Sequence, residues 1–201
     1  MDRTQFLKIG VALEASLVCL ALVVGWLFDV NPLQSLYFDG SDIVWGLLGA
    51  VPVFALLVIS DRLPLADLKR IKRMLIEMLG NSLNACRWYE LILLAGWVGF
   101  CEELLFRGLI QPWIAQYAGE AGGLLWSNVL FGLAHCVTLA YGLLAGLMGA
   151  YLGWLLDATG ERSLLIPITT HAFYDYLAFL WIARAYREEQ EQQISSHSEA
   201  G

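Results

Sequence analysis

Three apolar stretches of this 201-residue sequence, each a candidate membrane span, contain six ionisable side chains between them. The six are Glu102, Glu103, Arg107, His135, His171 and Asp175. An ionisable group at membrane depth is energetically costly, is normally paired, and is a functional residue by default. These six residues therefore form the candidate site, and their spacing indicates which of them can act together.

Helical spacing separates the roles of the two adjacent glutamates. Glu103 and Arg107 are four residues apart with the acid nearer the N-terminus, which favours an ion pair along one helix face. Glu102 is rotated from Glu103 by about 100° on an ideal helix and points elsewhere. The spacing therefore predicts a structural ion pair for Glu103 and leaves Glu102 free to act as a general base.

Two of the three histidines lie in apolar stretches, and each shares a helix face with a second residue of interest. His171 and Asp175 are four residues apart, so this carboxylate can orient the imidazole. Phe131 and His135 have the same spacing. If the three helices pack together, Glu102, His135 and His171 converge on one polar pocket.

A pocket of this composition has the groups that peptide hydrolysis requires. A general base must deprotonate a water molecule, and hydrogen-bond donors must stabilise the oxyanion that develops on the carbonyl oxygen. We interpret Glu102 as this base and Glu103 as a structural residue.

Two other classes of function remain open from the residues alone. His135, His171 and a glutamate could bind a catalytic zinc ion, although the HExxH motif of many zinc proteases is absent. A transporter or a membrane scaffold would also place acids and histidines at bilayer depth, although the inverted repeat common in transporters is absent. The hydrolase interpretation requires no cofactor, and zinc is the alternative.

Composition and apolar runs predict an all-α fold, a polytopic transmembrane bundle of about six spans. Hydrophobic residues make up 58% of the chain and charged residues 15%, against roughly 25% charged residues in soluble domains. About 20 apolar residues cross a bilayer as one helix. The candidate spans are approximately 9–28, 42–59, 91–110, 122–137, 139–156 and 164–182. No basic patch typical of nucleic-acid binding is present.

Four regions follow from these runs. They are two transmembrane helices in 1–60, a cytoplasmic amphipathic segment in 61–90, a catalytic-type transmembrane bundle in 91–183 and a polar C-terminal tail in 184–201. Lysine and arginine concentrate before the first span and after the second, so the positive-inside rule predicts cytoplasmic N- and C-termini. The amphipathic segment is predicted to contact an anionic lipid surface through four basic residues, Lys69, Arg70, Lys72 and Arg73.

Three short motifs between Glu102 and Asp175 carry a resemblance to a known family. The motifs are EELLFR at Glu102–Arg107, FGLAH at Phe131–His135 and HAFYD at His171–Asp175. They are similar to the EExxxR, FxxxH and HxxxN/D motifs of the CPBP intramembrane endopeptidases, in the same order. That family includes the CAAX prenyl endopeptidases and bacteriocin-processing or self-immunity proteins.

The resemblance implies an intramembrane, glutamate-type endopeptidase acting on a membrane-associated substrate, with prenylated CAAX-like proteins among the candidates. It also implies three paired roles, namely water activation, support of the site and oxyanion stabilisation. The resemblance assigns water activation to Glu102 with His135 and support of the site to Glu103 with Arg107. It assigns oxyanion stabilisation to His171 with Asp175. An ionised Asp175 cannot donate a hydrogen bond as an asparagine would, so the expected role of Asp175 is to orient His171.

Overall fold

The computed structural model describes residues 2–199, which are mostly helical and contain no strand. The helices are α1 (Arg3–Leu27), α2 (Gly40–Arg62), α3 (Ala66–Leu75), α4 (Asn81–Ala85), α5 (Trp88–Glu103), α6 (Gln111–Ala134), α7 (Leu139–Leu155) and α8 (Leu165–Glu199). Two π-helical turns, Ile76–Gly80 and Leu104–Ile110, join α3 to α4 and α5 to α6. The predicted all-α bundle is therefore confirmed.

Local capping groups fix where several helices begin. The side chain of Asp39 accepts a hydrogen bond from the Ser41 N–H at the start of α2 (2.8 Å), which satisfies a backbone donor that the helix itself cannot. Thr138 does the same for the Tyr141 N–H at the start of α7 (3.1 Å). Within α6, the backbone of Gly119 has φ 71°, so this helix consists of two helical pieces joined at a glycine.

Two helices, α1 and α2, are long and apolar enough to cross a membrane by length and composition, and α7 is a shorter apolar helix. Large apolar side chains on α1 and α2 are exposed, for example Leu13 at 63% and Val51 at 59%. Contiguous exposed apolar surface of this kind is suited to lipid rather than water. The chain is an integral membrane protein. The other four predicted spans fall on α5 with its π-helical extension, α6, α7 and α8, and their crossing of the bilayer stays a prediction.

The longest helix, α8, packs against α2 and α5, and glycines permit both contacts. The Thr170 hydroxyl donates to the Gly46 carbonyl of α2 (2.9 Å). On α5, a β-carbon at Gly99 would lie 2.9 Å from the Ala172 nitrogen. Because no side chain separates the two backbones at Gly99, α5 and α8 approach closely just beside His171.

The segments 61–90 and 184–201 are mostly helical within the described residues. In α3, Ile71 is buried whereas Lys69, Arg70 and Arg73 are exposed, as expected for an amphipathic helix. The polar C-terminal segment continues α8 without a break as far as Glu199. The boundary predicted at residue 184 is thus a change in composition within one helix and not the end of an element.

Candidate active site

Arg107 is the structural centre of the polar cluster. It lies in the π-helical turn after α5 and is 1% exposed. Its guanidinium donates to Glu103 Oε1 (3.1 Å), to Asn128 Oδ1 of α6 (2.8 Å) and to the Gly149 carbonyl of α7 (2.7 Å). The i, i+4 ion pair predicted from the spacing is present. One buried cation therefore ties three helical segments together.

Phe131 links this cation to His135. The Arg107 guanidinium lies over the Phe131 ring, 4.6 Å from its centroid, which is a favourable cation–π distance. The His135 ring stacks on the same Phe131 with 4.4 Å between centroids. The phenylalanine of the second motif therefore positions the histidine that follows it one helical turn later.

Glu103 has a second contact that the sequence does not reveal. The same Oε1 that accepts from Arg107 lies 2.8 Å from His171 Nδ1. Asp175 Oδ2 is 3.6 Å from His171 Nε2, which is beyond a normal hydrogen bond. Glu103, rather than Asp175, therefore makes the hydrogen bond that orients His171. The difference arises because the close approach of α5 to α8 at Gly99 places a carboxylate from another helix beside the ring.

Glu102 faces both histidines. Its Oε1 is 3.6 Å from His135 Nε2 and its Oε2 is 3.9 Å from His171 Nε2. Oε2 is buried and makes no hydrogen bond to any part of the chain that the structure describes. His135 Nδ1 is 2.9 Å from the Phe131 carbonyl, and because a carbonyl only accepts, Nδ1 carries the proton. The other ring nitrogen of His135 is thereby directed at Glu102.

A cavity of about 710 Å³ connects these groups to the surface. Its wall includes side chains from α2, α3, α5, α6, α7 and α8 and is mostly apolar. The functional residues that line it are Glu102, Phe131, His135, His171 and Asp175. Glu103 and Arg107 do not line the cavity. The two adjacent glutamates therefore differ in access to a substrate, as the helical rotation predicts.

Sequence reasoning missed three residues that complete the cluster. Asn128 accepts from Arg107 and donates to the Leu124 carbonyl (2.6 Å). The sequence could have indicated Asn128, because it is a polar residue inside an apolar run and precedes His135 by seven residues, which is two helical turns. Gly149 contributes a backbone carbonyl, and Gln111 donates to the Gly153 carbonyl one turn along (3.3 Å). Backbone acceptors of this kind leave no trace in a sequence.

Among the side chains that the structure describes, no group of three or more histidine, cysteine, aspartate or glutamate residues is arranged so that it could hold a metal ion.

Comparison with known proteins identifies the region that contains these residues. The family model described as "Type II CAAX prenyl endopeptidase Rce1-like" matches residues 84–177, which include all three motifs. Comparisons with curated proteins and with solved structures found no match. The CPBP resemblance is confirmed, since residues 84–177 are similar to the Rce1-like family of CAAX-type intramembrane endopeptidases.

Proposed function

We propose that this protein is a glutamate-type intramembrane endopeptidase that hydrolyses a peptide bond near the C-terminus of a prenylated, CAAX-like substrate. The observation that carries the proposal is the position of Glu102. Its carboxylate lines an apolar cavity, faces two imidazoles, and keeps one oxygen without a hydrogen-bond partner in the described structure. That oxygen is available to a water molecule on the cavity side.

In the proposed reaction, a water molecule hydrogen-bonds to Glu102 and His135 Nε2. Glu102 accepts a proton from the water as the new C–O bond forms at the scissile carbonyl carbon. The resulting tetrahedral intermediate collapses when the C–N bond breaks, and the proton returns to the leaving amine. A positioned base of this kind typically contributes 10²–10⁴-fold to the rate.

His171 is proposed to stabilise the oxyanion. Its Nδ1 is hydrogen-bonded to Glu103, so Nε2 faces the cavity near Glu102 and Asp175. For Nε2 to donate to the oxyanion while Nδ1 donates to Glu103, the ring must carry both protons. Loss of one oxyanion donor typically lowers kcat by about 10²–10³-fold. In this proposal Asp175 lies beside His171 Nε2, and Glu103 rather than Asp175 orients the ring.

The cavity and the membrane setting support the proposed substrate class. An apolar cavity of about 710 Å³ is within the size range of small-molecule sites and can accommodate a prenyl chain. The side chains of Arg70 and Arg73 on α3 are exposed, which supports contact with an anionic lipid surface. We therefore expect the substrate to reach the site from the membrane surface.

The test uses purified full-length protein in detergent and an S-farnesyl-cysteine peptide with three further residues. Wild-type protein should cleave the peptide directly after the farnesylated cysteine. Glu102→Gln preserves the side-chain volume and removes the base, so cleavage should be lost while the melting temperature stays close to that of wild type. Glu77→Gln, at an exposed glutamate outside the cavity, is the matched control and should remain active. Full activity of Glu102→Gln would refute the hydrolase proposal.

A further inference from the structure

The cavity that contains Glu102 has a second charged end. Asp61, at the end of α2, and Lys69 and Lys72, on α3, line the cavity together with the α8 residue Trp181. Asp61 and Lys69 are exposed, whereas Glu102 is buried. The cavity therefore runs from a deep catalytic end to an outer end with two lysines, and the wall between them is mostly apolar.

The charge at the outer end is not balanced. Lys72 Nζ donates to Asp61 Oδ1 (2.6 Å) and lies 4.8 Å from the centroid of the Trp181 ring. The positive charge of Lys72 is thus matched by one carboxylate. Lys69 makes no ion pair or side-chain hydrogen bond with the side chains described for residues 2–196, although it lines the same cavity one helical turn earlier. A single uncompensated cation at the end of an apolar cavity favours a ligand with one negative charge.

The helix rise gives the distance between the two ends. Trp181 follows His171 by ten residues on the continuous helix α8, which corresponds to about 15 Å. Because Lys72 lies against the Trp181 ring and Lys69 shares its helix face, the lysines are about this far from the catalytic end. An extended peptide spans roughly 3.3–3.6 Å per residue, and a lysine–carboxylate hydrogen bond adds about 3 Å. The separation fits three or four residues beyond the scissile bond.

We propose that Lys69, with Lys72 beside it, binds the free α-carboxylate at the C-terminus of the substrate. This contact would select substrates that end three or four residues after the cleaved bond. The inference rests on the proposed endopeptidase function and adds to it a specificity-determining residue. It also divides the basic residues of α3 into two groups, because Arg73 is exposed as well but does not line the cavity.

The experiment compares two S-farnesyl-cysteine peptides that differ only in a free C-terminal carboxylate or a C-terminal amide. For wild-type protein in uncharged detergent, amidation should raise KM by about tenfold with little change in kcat, as expected for loss of one charge-assisted contact in a partly exposed site. In Lys69→Ala the KM values for the two peptides should become nearly equal. Lys69→Arg should restore part of the difference, and Arg73→Ala, the matched control, should keep the wild-type difference.

Each other outcome counts against a specific statement. Equal KM values for the two peptides in wild-type protein would overturn the carboxylate contact while leaving the endopeptidase proposal standing. A full tenfold difference in Lys69→Ala would overturn the assignment to Lys69. Stimulation of both peptides alike by anionic phosphatidylglycerol, lost in Lys69→Ala, would assign Lys69 to lipid and overturn the substrate contact. Failure of wild-type protein to cleave either peptide would refute the proposed function itself, and the inference with it.

Discussion

At the scale of single residues, two neighbouring glutamates have different environments because the helix rotates between them. Glu103 is fully buried and makes contacts with Arg107 and His171 through one oxygen. The Oε2 atoms of both glutamates are buried without a hydrogen-bond partner in the described structure, but only Glu102 lines the cavity. A carboxylate engaged by two partners is a poor base, whereas one beside a cavity can reach water. The geometry thus supports opposite roles for two residues of the same type.

Removal of either member of the Glu103–Arg107 pair should impair folding as well as activity. Each side chain is at most 1% exposed, so Glu103→Ala or Arg107→Ala leaves an unpaired charge in the bundle interior. Breaking a buried ion pair in this way typically costs about 3–5 kcal/mol. Both variants should give a lower yield of folded protein and a lower melting temperature in detergent. If both were inactive yet as thermostable as wild type, the structural role of the pair would be wrong.

The catalytic chemistry proposed for Glu102 and His135 also predicts how the protein responds to chelators. If a carboxylate and an imidazole activate the water, wild-type protein should cleave its peptide in the presence of a strong chelator and should purify with substoichiometric zinc. In a zinc site the histidines must be ligands, and their loss would release the metal. Stoichiometric zinc in the wild type that disappears in His135→Ala or His171→Ala would favour the metalloprotease instead.

At the scale of helices, small residues determine which side chains can meet. A β-carbon at Gly149 would lie 2.5 Å from Asn128 Oδ1 and 2.8 Å from Arg107 Nη2. The space above this glycine is therefore occupied by the hydrogen-bond network that joins α6, α7 and the π-helical turn. The glycine spacing along α7 is visible in the sequence and predicts close helix packing, but not which polar groups occupy the space.

Gly149→Ala should consequently destabilise the bundle and lower activity. The added methyl must displace Arg107 or Asn128, and overpacking of a well-packed interior typically costs about 1–3 kcal/mol. Gly96→Ala on α5 is the matched control, because a β-carbon there meets no atom within 4 Å and alanine favours a helix. Thermal unfolding in detergent should show a lower melting temperature for Gly149→Ala and no decrease for Gly96→Ala. Equal melting temperatures of the two variants would contradict the proposed packing role.

The sequence predicted the helices well, because the length of an apolar run and the spacing within it are local properties. It also predicted the Glu103–Arg107 pair, whose partners are one turn apart on the chain. It did not predict the bond between Glu103 and His171 or the Gly149 carbonyl, because these contacts join residues 68 and 42 positions apart. The kink at Gly119 was not predicted, because the presence of a glycine in the sequence does not determine its backbone angles.

At the scale of the whole molecule, the orientation of the chain in the membrane must place the lysine-rich end of the cavity on the side from which the substrate enters. The lysine-rich end of the cavity is formed by the end of α2 and by α3, which belong to the segment predicted to be cytoplasmic. The apolar wall and the catalytic groups lie further from that end. A substrate anchored in the membrane with a polar C-terminus would then enter from the cytoplasmic side. This arrangement requires the orientation that the lysine and arginine distribution predicts.

Cysteine labelling tests the orientation directly, in a variant from which the four native cysteines have been removed. Gly40, at the start of α2, is exposed, and a β-carbon added there would meet no atom within 4 Å, so Gly40→Cys should be tolerated. Glu77→Cys, at an exposed position in the segment after α3, reports on the opposite side of the membrane. A membrane-impermeant maleimide added to intact cells should label the cysteine at position 40, and label the one at position 77 only after permeabilisation. The reverse pattern would place the lysine-rich end of the cavity outside the cell, which is incompatible with entry of a cytoplasmic substrate from that end.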